Sequence, residues 1–439
     1  MFSHHKAILK LGIPIAIGQL GVIIMGFADT VMVGRYSTDA LAAASFVNSV
    51  FNLIAFLLMG YSYGLTPLIS SLFGRGEHRE AGSTLAHAVV CNLLFAFLLM
   101  GLMLVGYFWL DCMGQPPHLL PIVRPYYQCV MYSIPFLAFF NVMRQFTDGI
   151  TDTATAMWAL LAGNALNVVG NFLLIYGIGP FPELGLTGAG LSTLCSRVVT
   201  AAILLSVLWF RPRYASFRKG VRMAGYSSAA LHHINRQSLP IALQMGTESG
   251  AFTFSGIMAG WLGAVDLASF QVMVTIGTLG FLLYYSFGAG LSIRVAAFYG
   301  GHDAMQLRQT TRAGRHILLG MAAVSSLTFL LLGKTLIQSF TTDPAVITLC
   351  MGLIPPLILY QLGDAMQICY ANALRGTAHV MPMMWIAFFS YLVVNLPVAY
   401  LLAFSLGLGS KGLFLAFSCG LFVAAFLFYN RYQAVVRRG

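Results

Sequence analysis

The sequence predicts an all-α integral membrane protein with twelve transmembrane helices in two pseudo-symmetric six-helix bundles. Three observations carry this expectation. The 439 residues are 58% hydrophobic and only 8% charged, with a mean hydropathy of +0.81, whereas soluble domains carry about a quarter charged residues. Apolar stretches long enough for a bilayer, about 20 residues each, recur twelve times. The two halves of the chain also repeat at a nearly constant offset.

The spans lie at roughly 9–34, 43–73, 85–110, 122–144, 155–178, 185–210, 237–261, 267–299, 313–333, 347–373, 380–404 and 411–432. The second and eighth exceed the bilayer requirement and are expected to tilt or project. The N-terminal MFSHHKAILK and the apolar run after it lack a small-residue cleavage site, so they read as a first transmembrane helix rather than a signal peptide. Lys and Arg set the orientation. With the N-terminus in the cytoplasm, 18 of them fall on the cytoplasmic side and four (Arg35, Arg124, Lys334 and Lys411) outside, while Arg197 and Arg294 lie within spans. This bias predicts a multi-pass membrane protein with both termini cytoplasmic. The formal charge of +11 therefore follows from topology and gives no reason to expect nucleic acid.

The longest basic connection, residues 211–236, reads as a solvated cytoplasmic linker that contacts anionic membrane lipid. It divides the chain into an N-lobe, 1–222, and a C-lobe, 223–439. A shift of 226 places Pro14 on Pro240, Gly34 on Gly260, Leu41 on Leu267, Gly64 on Gly290, Thr66 on Ser292 and Gly74 on Gly300. Six spans per half give the repeats one orientation, hence a pseudo-two-fold axis along the membrane normal and a central cleft between the bundles.

Three of the 13 acidic residues stand in apolar surroundings: Asp29, Glu248 and Asp364. An ionisable group at membrane depth costs a few kcal/mol and marks an ion or substrate path by default. In the first half, Asp29, Asn171 and Thr193 all lie roughly 8–11 Å below the outer surface, counted at 1.5 Å per residue. Asn167 and Asn171 share one helix face, as do Ala189 and Thr193. A carboxylate with amide and hydroxyl oxygens at one depth suits a hard cation or a proton. The alternative is that these Asn and Thr residues only join helices; Asn164 reads that way.

In the second half, Glu248 lies near the middle of its span. Gln244 is one turn away, and Tyr360 is one turn from Asp364. Glu248, Tyr360 and Asp364 could hold Na+, or the two acids could exchange protons. A structural pairing of the acids with Arg294 or Arg197, and an ordinary core role for Tyr360, are the alternatives. Asp29 maps onto Ser255 and Glu248 onto Val22, so the halves share a scaffold and differ in chemistry. The seven cysteines form no CxxC pair and imply neither a disulfide framework nor a zinc site. No phosphate loop or hydrolase motif stands in a suitable context, so no enzyme activity is expected.

The stretches GQLGVIIMGFADTVMVGRYSTDALAA, SLFGRGEHREAG, NALNVVGNFLLIYG, GLTGAGLSTLCSR, QMGTESGAF and YQLGDAMQICYANALRGT together resemble the multidrug and toxic compound extrusion (MATE) family, on its NorM-like branch. The resemblance spans essentially the whole chain. It implies two lobes forming a V, alternating access, and export of amphipathic, mainly cationic compounds from a bacterial inner membrane by antiport with Na+ or H+, by a monomer without cofactor. It assigns one cation site to Asp29, Asn167, Asn171, Ala189 and Thr193, and a second to Glu248, Tyr360 and Asp364. The acids and Gln244 would meet the substrate. Some relatives carry Asp where Asn171 stands, so this chain has one fewer titratable group there. Arg35 departs from the small residue expected after the helix-1 glycine. A flippase for lipid or lipid-linked oligosaccharide is the rival, but it should line its cleft with Arg for pyrophosphate, and here acids outnumber arginines within the spans.

Overall fold

The computed structural model describes residues 2–113 and 116–438, and these form helices joined by short turns, with no strand among them. In chain order the helices are α1 (Phe2–Tyr36), α2 (Thr38–Ser62), α3 (Leu65–Gly74), α4 (His78–Phe108), α5 (Leu120–Tyr132), α6 (Ile134–Gly149), α7 (Thr153–Tyr176) and α8 (Gly185–Phe210). The short α9 (Ala215–Met223) follows. Then come α10 (Ser228–Leu262), α11 (Ala264–Gly300), α12 (Ala304–Gln338), α13 (Pro344–Gly376), α14 (Met381–Ala387), α15 (Leu396–Tyr400) and α16 (Ser410–Arg438).

Ten of the described helical stretches are long and apolar enough to cross a membrane. The other two expected spans are present as helix but differ in character. The fourth is broken at Ser133 into α5 and α6, with Pro135 at the restart. The seventh, α10, is 35 residues long, but Gln244, Thr247, Glu248, Ser249 and Ser255 dilute its apolar run. The second span is interrupted at Tyr63–Gly64, whereas its repeat partner α11 runs unbroken for 37 residues. In the eleventh span, residues 388–395 and 401–405 wind as π-helix around α15. Pro397 offers no N–H and crowds the preceding turn, a common origin of such widening.

The chain forms two compact units: Ile17–Ala242, and Met1–Ala16 with Leu243–Gly439. The boundaries therefore fall inside α1 and α10, not at 222/223 as the linker suggested. They are 226 residues apart and each follows a helix-interior proline, Pro14 or Pro240, by two residues. Each half thus lends the first turns of its first helix to the other unit. The loan is visible in the packing. In one unit a Cβ on Gly64 would sit 2.6 Å from the Ser238 Cα; in the other, a Cβ on Gly290 would sit 3.3 Å from the Gly12 nitrogen. Residues 12 and 238, and 64 and 290, are repeat partners. The repeat extends further, with the offset grown by one at the glycines: Gly149 backs onto Ile69 and the Thr66 carbonyl, and Gly376 onto Val295 and the Ser292 carbonyl.

The linker is not wholly solvated. Its helix α9 docks on α4 in the first unit, burying Phe217 and the preceding Tyr214. Contact is backbone to backbone, since a Cβ on Gly82 would lie 2.1 Å from the Phe217 carbonyl and one on Gly220 1.9 Å from that of Arg79. Tyr214 Oη donates to Asp152 Oδ2 at 2.7 Å, alongside Thr155 Oγ1 at 2.9 Å and Arg213 at 3.5 Å. Tyr214→Phe deletes one donor and leaves the other two, so a loss of about 1 kcal/mol is expected. It would appear as a lower unfolding temperature, and an unchanged one would contradict the docking described. His232 and His233 are exposed on the first turns of α10.

Candidate functional site

In the Ile17–Ala242 unit, α1, α7 and α8 bring a polar cluster together. Asn171 Nδ2 donates to Asp29 Oδ1 at 2.5 Å. Asn167, one turn earlier, reaches the same oxygen at 2.8 Å while its own amide oxygen accepts from the Thr193 backbone N–H at 3.3 Å. Both asparagines are fully buried, so these amides are fixed by their partners rather than by water. α8 is locked against α7 by Ser192 Oγ, which donates to the Asn167 carbonyl at 2.7 Å; Gly170 leaves room for that hydroxyl. Ala189 takes part through its carbonyl, which accepts from Thr193 Oγ1 at 3.0 Å. Asn164 lies against Gly21 of α1, with its Nδ2 buried and unpartnered.

Sequence reasoning missed the surroundings of this cluster. Arg197 is within electrostatic range of Asp29 but forms no ion pair with it among the described residues. Its guanidinium donates to Ser133 Oγ and stacks over the Phe51 ring at 4.5 Å. Tyr126, also in range of Asp29, donates to Asn48 Oδ1 at 3.1 Å. Arg197 of α8 and Tyr126 of α5 thus stand within electrostatic range of the carboxylate, each held by its own polar partner. Arg197 was legible as a charge inside a span; its alignment with Asp29 was not.

In the other unit, Glu248 on α10 lies within electrostatic range of Tyr391 in the π-helical turn, whose buried hydroxyl has no hydrogen-bond partner among the described residues. Asp364 and Tyr360 on α13 are buried and lie within electrostatic range of Glu248. Phe252, one turn beyond Glu248, meets Tyr360 edge-on at 6.2 Å and stacks on Phe417 at 4.4 Å. These rings fix the face that α10 presents to α13 and α16. Tyr284 on α11 completes the surround of Asp364. Gln244 is buried one turn from Glu248, with its Oε1 unpartnered. Arg294 stacks over Phe298 at 4.6 Å, and the arginine within electrostatic range of Glu248 is Arg375, so neither expected structural arginine pairs with these acids. Tyr391 is the main residue that sequence reasoning missed. A tyrosine in FFSYLVVNLP gave a weak signal, and the π-helical winding that aims it was invisible.

Among the described residues no three His, Cys, Asp or Glu side chains cluster as metal ligands. The groups present are carboxylates with amide and phenol partners, which is the chemistry of alkali cations, protons and organic cations.

The comparisons with known proteins follow the same two halves. The MatE family model matches residues 14–173 and 240–401, two segments that start 226 residues apart. The probable multidrug resistance protein NorM of Xanthomonas axonopodis pv. citri (strain 306) is 28% identical over 428 residues, covering 98% of this chain and 93% of that protein. A protein of the same description from Bradyrhizobium diazoefficiens is 27% identical over 437 residues, with the same coverage. A crystal structure of MATE in the bent conformation superimposes with a TM-score of 0.91 at 22% identity, covering 99% of this chain and 96% of that one. With both halves matched by one family model and the whole length shared with NorM relatives, the chain belongs to the MatE family, the multidrug and toxic compound extrusion transporters.

Proposed function

We propose that this protein exports amphipathic, mainly cationic compounds by antiport with Na+, through alternating access, in a bacterial inner membrane with both termini cytoplasmic. The observation that carries the reading is a pair of unsatisfied buried acceptors. Among the described residues, Asn171 Oδ1 in one unit and Asp364 Oδ2 in the other have no hydrogen-bond partner, and each stands beside or on an intramembrane carboxylate. A buried acceptor left unpaired costs about 1–3 kcal/mol, more when charged. A cation or a proton at each site relieves that cost. An organic cation competes for the same carboxylates, and this differential binding is what an exchange mechanism requires. Asp29 with Asn167, Asn171, Ala189 and Thr193 forms one proposed site. Glu248, Tyr360 and Asp364, joined by Tyr391, form the other, with Gln244 as a substrate contact. No cofactor is needed in this scheme, and a monomer suffices.

H+ is the second reading, favoured by the same orphan on Asp364, because a protonated carboxyl is itself a donor. Efflux of ethidium from proteoliposomes under separately imposed Na+ and pH gradients distinguishes the two. Acceleration by the Na+ gradient supports Na+ antiport, acceleration by the pH gradient alone supports H+ antiport, and indifference to both overturns the proposal.

A further inference from the structure

At the cytoplasmic end of α12, three arginines project from one face. Arg308, Arg312 and Arg315 stand at i, i+4 and i+7, within two turns. Among the described residues no carboxylate comes within ion-pairing distance of any of them. Like charges at this spacing oppose helix formation, so the arrangement is not explained by the stability of α12. The three line an open cavity of about 280 Å³ that is also bordered by Tyr370 of α13 and Tyr429 and Tyr432 of α16. Tyr432 is buried and its hydroxyl is held by Thr311 Oγ1 at 2.7 Å. The Tyr370 ring meets Tyr429 edge-on at 5.0 Å, and its hydroxyl is within hydrogen-bonding reach of Arg315. The wall is therefore preformed.

The internal repeat shows that this surface departs from its counterpart. α4 begins at His78 and α12 at Ala304, 226 residues apart. Arg308, Arg312 and Arg315 thus correspond to Gly82, Ala86 and Val89. In the first unit that position is covered by α9, whose Phe217 carbonyl packs on Gly82. The second half of the chain has no such covering segment among its described residues, and carries guanidinium groups and phenols instead.

We infer that the cavity between α12, α13 and α16 binds a phosphoryl group, presented either by an anionic lipid or as free phosphate. Guanidinium groups donate paired N–H bonds to phosphate oxygens, and the Tyr370 hydroxyl, which accepts from Arg315, keeps its own proton to donate. The site lies at the cytoplasmic end by the distribution of basic residues, where anionic headgroups concentrate. Its positive charge repels the organic cations and coupling ion drawn to the carboxylates, so it is a separate site.

The test uses the full protein in phosphatidylcholine nanodiscs, with thermal unfolding as readout. Two additions are compared: inorganic phosphate, and phosphatidylglycerol incorporated in the disc. Wild type should gain about 2–4 °C with at least one of them, and Arg312→Gln, and Arg308→Gln with Arg315→Gln, should lose the gain. A response to phosphatidylglycerol alone assigns a lipid headgroup; a response to inorganic phosphate assigns a free anion. Because these variants could also lower stability directly, retention of phosphatidylglycerol on the released protein is measured by native mass spectrometry on wild type and Arg312→Gln. No shift with either addition, or equal shifts and equal retention in the variants, overturns the inference.

Discussion

Glu248→Gln and Asp364→Asn are each expected to reduce ion-driven ethidium efflux by at least about tenfold, which corresponds to a loss of about 1.4 kcal/mol or more in ion or substrate binding. Each replacement keeps the shape of the side chain and removes its charge. Asp364 is buried on α13 with one oxygen unpartnered, and Glu248 faces it from α10. Neutralising either removes a charge that the surrounding phenols of Tyr360, Tyr391 and Tyr284 cannot replace. The fold should survive, because a neutral amide is less costly at this depth than a carboxylate. Tyr391→Phe keeps the ring and removes the unpartnered hydroxyl beside Glu248 that could serve the bound ion, and a loss of roughly two- to tenfold is expected from about 0.5–1.5 kcal/mol. Efflux by proteoliposomes at matched protein content measures all three. Full activity with normal ion dependence in both carboxylate variants would contradict the role given to them.

The second large effect lies in the exchange of helix ends between the two units. Gly64→Ala would place a Cβ 2.5 Å from Ser238 Oγ and 2.6 Å from its Cα. The obstacle is backbone, so it cannot be relieved by a rotamer change. Overpacking of this kind costs about 1–3 kcal/mol and here falls at the upper end. Gly290→Ala meets the Ile8 carbonyl at 3.1 Å and should cost less. Gly101→Ala, on a lipid-facing stretch of α4 with nothing within 4 Å, should be neutral. The expected order of unfolding temperature is therefore Gly101→Ala above Gly290→Ala above Gly64→Ala. Equal stability of all three would contradict the close approach of the α2–α3 break to α10.

Much of this architecture is written in the sequence, because a bilayer forces long apolar runs and a duplicated fold forces matched glycines. Gly64 and Gly290 were legible as repeat partners; that one packs on Ser238 and the other on Gly12 follows from them once the helix ends are seen to cross. The crossing itself was not legible. Pro14 and Pro240 signalled a shared backbone feature, but nothing in local composition says that the residues before and just after each proline belong to the opposite unit. The basic linker read as solvated because its charges dominate; Phe217 and Tyr214, which dock it, are two apolar bodies among many.

Depth counting along α1, α7 and α8 brought Asp29, Asn171 and Thr193 to one level, and in the structure Asn167 and Asn171 both donate to Asp29. The second set was harder. Asp364 and Tyr360 share a face of one regular helix, which periodicity reveals. Tyr391 reaches Glu248 from a π-helical segment, where the 3.6-residue period fails, so no count of positions would have found it.

The most direct measurement of the central claim is the ion movement driven by the substrate itself. Proteoliposomes loaded with ethidium, without any imposed ion gradient, should take up radioactive sodium, or acidify inside, as ethidium leaves, and Asp364→Asn should abolish this countermovement. Ethidium leaving through the wild-type protein with no accompanying movement of either Na+ or H+ would contradict the account.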